Sequence, residues 1–462
     1  MRIAFVSANR EVLPDAVVPL GLLYVMANVP SCHETVLCDL LFERDPHEAL
    51  AARLAELRPD VVALGMRNVQ DSDYGSPAGN IDYYRGLIDT VRASSQALVV
   101  VGGGGFSVMP AQLMEKLRPD FGIAGEGELA FAQLLDELSA GSRRFERVPS
   151  LFYFADGRLA ATGHNGKFQK LDTLAWPDRR LVDPRYYSRH GIDSVQTKRG
   201  CALRCDYCTY PEIEGREVRQ RDPAQVVDEM IQAVAGRPEI QHFFFVDSVF
   251  NLPPEHAAAL CRELAARGPD RPWTCYVNPV GFRGELARLM AQAGCIGVEI
   301  GADSGCDEVL DRLRKGFRTA DIVAAHEHCV AAGILDCHTF MLGTPGESMD
   351  DVRRTLDFCG RLAPAAAIMN IWTDDRESLE PEQAAAQREW RAKIKDVLRS
   401  VQDDFPRWAI PPVGARFDER LFRWLRAMGL RGPLWQHLGR IERDERALRL
   451  MRSASSLSAA RS

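Results

Sequence analysis

The chain has 462 residues, 46% hydrophobic and 26% charged, which is room for two or three domains with ordinary cores. A formal net charge of −7, with no basic tract interleaved with aromatics, excludes a nucleic-acid footprint, and no apolar run approaches the ~20 residues of a membrane span. Twelve cysteines without framework spacing, and a start (Met1-Arg2-Ile3-Ala4-Phe5-Val6) that enters a strand pattern directly, point to a reducing cytoplasm with no signal peptide.

Residues 1–140 alternate short Val/Ile/Leu-rich strands, expected at 2–8, 34–41, 61–66, 97–102 and 121–124, with helices at 19–29, 46–57, 81–92, 110–117 and 128–138. Strands apolar on both faces imply a parallel, doubly wound α/β sheet, which binds ligands beyond the carboxyl ends of its strands. Two glycine loops lie there, Gly102-Gly103-Gly104-Gly105-Phe106-Ser107 and Gly125-Glu126-Gly127-Glu128. Four consecutive glycines remove every Cβ where a backbone must approach something closely, and either loop alone also reads as plain turn chemistry. Neither matches G-x-G-x-x-G after the first strand, so a dinucleotide is disfavoured.

Residues 141–192 read as a linker. It contains a hairpin with arms at 150–155 and 158–162 around Asp156-Gly157. Residues 193–375 resume the alternation, with strands expected at 194–198, 242–246, 273–277, 297–301, 336–342 and 367–372. Six such steps leave a partial (β/α)6 barrel whose active groups gather at the C-terminal strand ends. Residues 376–462 read as an added helical domain over the barrel's open side, with Trp390, Trp408, Trp424 and Trp435 chiefly in its core and a surface tail from Arg440.

The densest chemical signal is Cys201, Cys205 and Cys208, spaced C-x3-C-x2-C on the loop leaving the strand at 194–198. Three thiolates can hold three irons of a cubane and leave the fourth open. A closed zinc site wants four protein ligands and fits poorly. The other cysteines are scattered, read as small core residues, and none lies beyond Cys359.

This triplet resembles the signature of the radical S-adenosylmethionine (SAM) superfamily, in which SAM chelates the open iron and reductive cleavage gives a 5′-deoxyadenosyl radical. Segments similar to the family's other motifs follow in order, and the resemblance implies their roles. Tyr207 would lie near the adenine, and Asp247, in the segment 245–251, beside the methionine end of SAM. Glu299, Asp303 and Ser304, in 297–305, would meet the ribose and ammonium. Gly343-Thr344-Pro345 would shape the adenine pocket. Singly, Asp247 or Asp303 also reads as a helix cap and the Gly-Thr-Pro element as a turn.

Ahead of that triplet, the glycine loops resemble the cobalamin-binding domain of cobalamin-dependent radical SAM enzymes. The resemblance implies that Gly102, Gly103, Gly104, Gly105 and Phe106, with Gly125 and Glu126, border the nucleotide tail, and that Asn68 belongs to the loop beside the corrin. The D-x-H-x-x-G motif that supplies a histidine to cobalt is absent, since Asn9-Arg10-Glu11-Val12-Leu13-Pro14 follows the first strand. Arg67 is placed beneath the corrin as a fixed cation, with pairing to Asp71 or Asp73 as the equal alternative.

The implied function is C-methylation, moving a methyl from SAM via methylcobalamin to a substrate carbon by a radical route or at a nucleophilic sp2 carbon. Rearrangement or cyclisation without methyl transfer is the alternative, and a sheet that has lost cobalamin a further one. The implied partners are a small-molecule substrate and an electron donor of flavodoxin or ferredoxin type. Tyr276, Asn278 and His338, on expected barrel strands, are candidates to contact substrate or relay a proton, or else core residues.

Overall fold

The computed structural model describes residues 1–69, 80–163, 170–374 and 385–444. Five strands, β1 (Arg2–Ser7), β2 (Glu34–Asp39), β3 (Val61–Gly65), β4 (Leu98–Gly102) and β5 (Phe121–Ile123), pair in parallel in the order β2-β1-β3-β4-β5. β1 shows why its sequence is apolar throughout. Ile3 and Phe5 enter one core with helix Gly127–Ala140, while Ala4 and Val6 enter another with helices Pro46–Leu57 and Ile81–Ser94. With both faces covered, the strand has no solvent side to mark with polar residues. The order reverses between β1 and β3, which puts the ligand crevice beyond Ser7 and Gly65.

The hairpin forms, as β6 (Leu151–Ala155) and β7 (Arg158–Ala161), but not as part of a linker. β6 pairs antiparallel with β5 and extends the first sheet to seven strands, so the hairpin belongs with that sheet.

The chain then forms β8 (Ile192–Val195), β9 (Lys198–Arg199), β10 (Arg219–Gln220), β11 (His242–Phe245), β12 (Trp273–Val277), β13 (Cys295–Asp303), β14 (Leu335–Leu342), β15 (Ala366–Ile371) and β16 (Trp408–Ala409). β8 and β11 to β16 make an all-parallel sheet in simple succession, with helices winding along one face as in a partial barrel. The first barrel strand breaks earlier than expected. β8 stops at Val195, and β9 leaves the sheet to pair antiparallel with β10 as a short ribbon.

The C-terminal region supplies more than helices, because β16 is a seventh barrel strand. Beyond helices Ala385–Val401 and Glu419–Ala427, Trp435 turns into the barrel and packs with Cys337, Ala366, Leu421, Leu425 and Leu434. Trp408 and Trp435 are buried, as the core reading expects. Among the described residues no helix is long and apolar enough to cross a membrane.

Candidate functional site

Asp247 fixes the entry to the cysteine loop. Its carboxylate accepts from the Thr197 amide at 2.7 Å and from Lys198 Nζ at 3.0 Å, and all three residues are buried. The enclosed carboxylate, expected beside the methionine end of SAM, holds the strand exit that aims the loop. Gly200 follows at φ +89°, where a Cβ would lie 2.0 Å from the Glu217 carbonyl oxygen, so no other residue fits the turn. The Gly200 and Cys201 amides donate to Glu214 Oε2 at 3.0 Å and to the Gly215 carbonyl at 3.1 Å. Cys201 is buried and Cys205 and Cys208 half-buried. Burial pushes the Cys208 thiol up to about 11 and raises Cys205, and each of these thiols also feels Cys201. Three electrostatically coupled thiols on one clamped loop fit three corners of a cubane, whose irons would displace the thiol protons.

At the carboxyl end of β13 the pairing with β14 shifts register between Gly301 and Asp303, and Asp303 takes φ +60°, a conformation aspartate tolerates better than most residues. The bulge re-aims its side chain toward Lys315 Nζ, 2.6 Å away, and the Tyr207 hydroxyl donates to the same carboxylate. The structure thus brings Tyr207 and Asp303 together and adds Lys315, which sequence reasoning missed. Ser304 faces elsewhere: fully buried, it bonds Thr355 at 3.0 Å and accepts from the Cys306 amide at 3.2 Å. Gly343 takes φ +81°, which strains other residues, and a Cβ there would displace the Ile394 side chain 2.6 Å away. Its amide and that of Thr344 donate to Glu347 Oε2 at 2.6 and 2.9 Å, so Glu347 fastens the turn that carries Pro345.

Between the two sheets lies a cavity of about 400 Å³. Ser7, Gly65, Arg67 and Gly102 to Gly104 form one wall; Arg199, Tyr210, Ile213 and Glu214, flanking the cysteine triplet, form the other. The glycines differ in purpose. A Cβ on Gly103 would meet the Met66 carbonyl oxygen at 2.6 Å and one on Gly105 would meet Asn68 at 3.0 Å, so these two are demanded by backbone packing. Nothing lies nearer than 3.6 Å to a Cβ on Gly104, whose bare backbone faces the cavity. Arg67 reaches the cavity with 40% of its side chain exposed and Glu11 3.8 Å away; Asp71 and Asp73 lie outside the described residues. This apolar, glycine-walled crevice at the switch point fits the nucleotide tail of cobalamin.

Two expected cofactor contacts, Phe106 and Asn68, lie outside this cavity, and a third, Glu126, lines it but is already engaged. Phe106 is fully buried in the opposite core, edge-to-face with Phe152 at 6.1 Å. Asn68 binds Glu11 Oε2 at 3.2 Å in a separate polar cleft of about 190 Å³. Glu126 lines the cavity but is engaged by Arg199 at 3.2 Å and by Arg219, while Glu128 meets Arg199 at 2.6 Å. Gly125 packs on the Ile213 carbonyl in the same contact. The second glycine loop therefore ties the first sheet to both ends of the cysteine loop.

Inside the barrel, Tyr276 remains 37% exposed, edge-to-face with Phe244 at 4.9 Å, and its register partner on β13 is Glu299. Glu299 lies too far down its strand to join Asp303, since four residues span about 13 Å. Asn278 is held by Asn251, which donates to its carbonyl at 3.0 Å and accepts from its amide at 2.9 Å. His338 points out of the barrel. Its register partner Ile300 packs beneath the surrounding helices, and its Nε2 meets Asp336 at 2.8 Å, as His326 of helix Thr319–Ala332 does at 2.6 Å. Strand alternation puts His338 on the covered face, away from any substrate.

Comparison with known proteins agrees with this layout. The B12 binding domain model matches residues 7–135 and the Radical SAM superfamily model residues 195–359. Tryptophan 2-C-methyltransferase of Streptomyces laurentii is 29% identical over 77% of this chain and 69% of its own length. The radical SAM methyltransferase TsrM from Kitasatospora setae, solved with cobalamin and a [4Fe-4S] cluster, is 28% identical at a TM-score of 0.71, covering 80% of this chain and 72% of that one. The cobalamin-dependent radical enzyme OxsB, at 17% identity and a TM-score of 0.66 over 83% and 56%, shares the fold. With both domain models matched in order around a clamped cysteine triplet and a glycine-walled crevice, the chain belongs to the cobalamin-dependent radical SAM enzymes of methylase type, which work with a [4Fe-4S] cluster, SAM and cobalamin.

Proposed function

We propose that this enzyme C-methylates an electron-rich ring carbon of a small aromatic substrate, an indole in the first instance. One observation carries the reading: the cavity at the first sheet's switch point shares its wall with the cysteine loop, and Arg67 projects into it beside the barrel's Tyr210. The similarity to enzymes that methylate tryptophan at carbon 2 supports the indole. When bound, the cobalamin carries the methyl from SAM and the cluster binds or cleaves SAM.

The chain's own residues do the rest. Cys201, Cys205 and Cys208 hold the cluster, and Gly102 to Gly104 admit the corrin's tail. Arg67 would present a fixed cation to the cobalamin held in this cavity. Tyr207 and Asp303, steadied by Lys315, face SAM, and Gly343 with Pro345 closes the adenine side. A flavodoxin- or ferredoxin-type protein in a cytoplasmic setting supplies electrons.

The test is anaerobic reconstitution with iron, sulfide and hydroxocobalamin, then incubation with SAM, a reductant and L-tryptophan. One corrin and about four irons per chain, and a product heavier by one CH2, are expected. A product of unchanged mass would indicate rearrangement instead, and a loaded enzyme inert toward indoles would remove the proposed substrate class.

A further inference from the structure

The carboxylates around the reaction chamber are nearly all committed. Asp247 is held by Thr197 and Lys198, Asp303 by Lys315, and Glu126 by Arg199 and Arg219. Glu299 is different. It lies on the inner face of β13 beside Tyr276, about 13 Å below the carboxyl end of the strand. Trp435 closes the floor beneath it, so near that a Cβ on Gly297 would be 2.6 Å from its ring, and donates Nε1–H to Glu299 Oε1 at 2.9 Å. Trp435 is the only hydrogen-bond partner of that carboxylate among the described residues, and no cation pairs with it there. Tyr276, beside it, feels the charges of Tyr210 and Arg67, which line the cavity between the sheets.

We propose that Glu299 accepts the proton that the methylated ring carbon must shed. This rests on the ring-methylation reading above and narrows the substrate to an aromatic carbon that still bears hydrogen. The ring supplies the electron pair of the new C–C bond, while the methyl arrives without its former bonding pair, which stays on the donor. The carbon's C–H pair then returns to the ring, and the proton passes to the Glu299 carboxylate. No outside oxidant or reductant enters this step. Burial pushes the Glu299 carboxyl up to about 7 against the opposing pull of the Trp435 hydrogen bond, so the group can both take and release a proton near neutrality.

The test compares reconstituted wild type with Glu299→Gln, whose amide oxygen still accepts from Trp435. Iron and corrin content check that both are loaded. By infrared difference spectroscopy without substrate, the wild type should lose a protonated-carboxyl band as pH rises through about 7, and the variant should show no such change. In single turnovers with L-tryptophan as the probe, the wild-type rate should climb through the same pH range, and the variant should be roughly a hundred- to ten-thousandfold slower and flat with pH. A variant that methylates at the wild-type rate with the wild-type pH profile overturns the assignment alone, as does a wild type lacking the titrating band. A loaded wild type that methylates neither tryptophan nor simple indoles overturns the ring substrate, and the proton acceptor with it.

Discussion

Single side chains decide the chemistry here by what they are denied. Glu299 has a neutral donor and no cation, so its ionised form is the costly one. Its folded-state value lies above that of an unfolded chain, so the stability it contributes is complete in acid and is lost as pH rises through about 7. Glu299→Gln should therefore melt with the wild type at about pH 4 and later than it at about pH 8, the difference bounded by about 3 kcal/mol; calorimetry of the cofactor-free protein checks this. Trp435→Phe keeps the ring and removes the N–H. It should move the carboxyl titration to higher pH, measurable by the same infrared band. At the lower face of the cavity, Arg67→Gln should change the absorbance spectrum of bound cobalamin; an identical spectrum would place the guanidinium elsewhere.

At the scale of elements, the glycine loop after β4 performs two tasks that its composition does not separate. Gly103, at φ +98° and against the Met66 carbonyl, serves the fold; Gly104 stands bare toward the cavity. Gly103→Ala should lower the thermal midpoint markedly. Gly104→Val should leave it within a few degrees while abolishing retention of hydroxocobalamin on desalting. The same contrast applies to acidic loops. Glu126 and Glu128 look like ligand groups by position, yet both are buried ion-pair partners of the ribbon that carries the cysteine loop. Converting both to glutamine strands buried arginines, a change that commonly costs about 3–5 kcal/mol. Hydroxocobalamin should then bind at least about tenfold more weakly by equilibrium dialysis, because the two walls of its cavity no longer meet.

For the whole molecule, local signals named the parts well. Alternating apolar strands and helices marked both sheets because burial on two faces leaves an uninterrupted hydrophobic pattern, and the cysteine triplet stood out because its members are close in sequence. What resisted reading was long-range. His338 sits on a barrel strand, but only register with Ile300 shows that it faces outward to Asp336 and His326. Asp247 and Glu126 stand out in their motifs, yet the partners that engage them lie 49 and 73 residues away, on Lys198 and Arg199. The one hydrogen bond that opposes the burial of Glu299 comes from Trp435, 136 residues downstream. The primary structure by itself determined the architecture, the family and the cofactor class, since each rests on periodicity or neighbouring residues. Which carboxylates are neutralised by a cation and which one has only a neutral donor was decided by the tertiary structure alone, because charge pairing depends on distances that only packing sets.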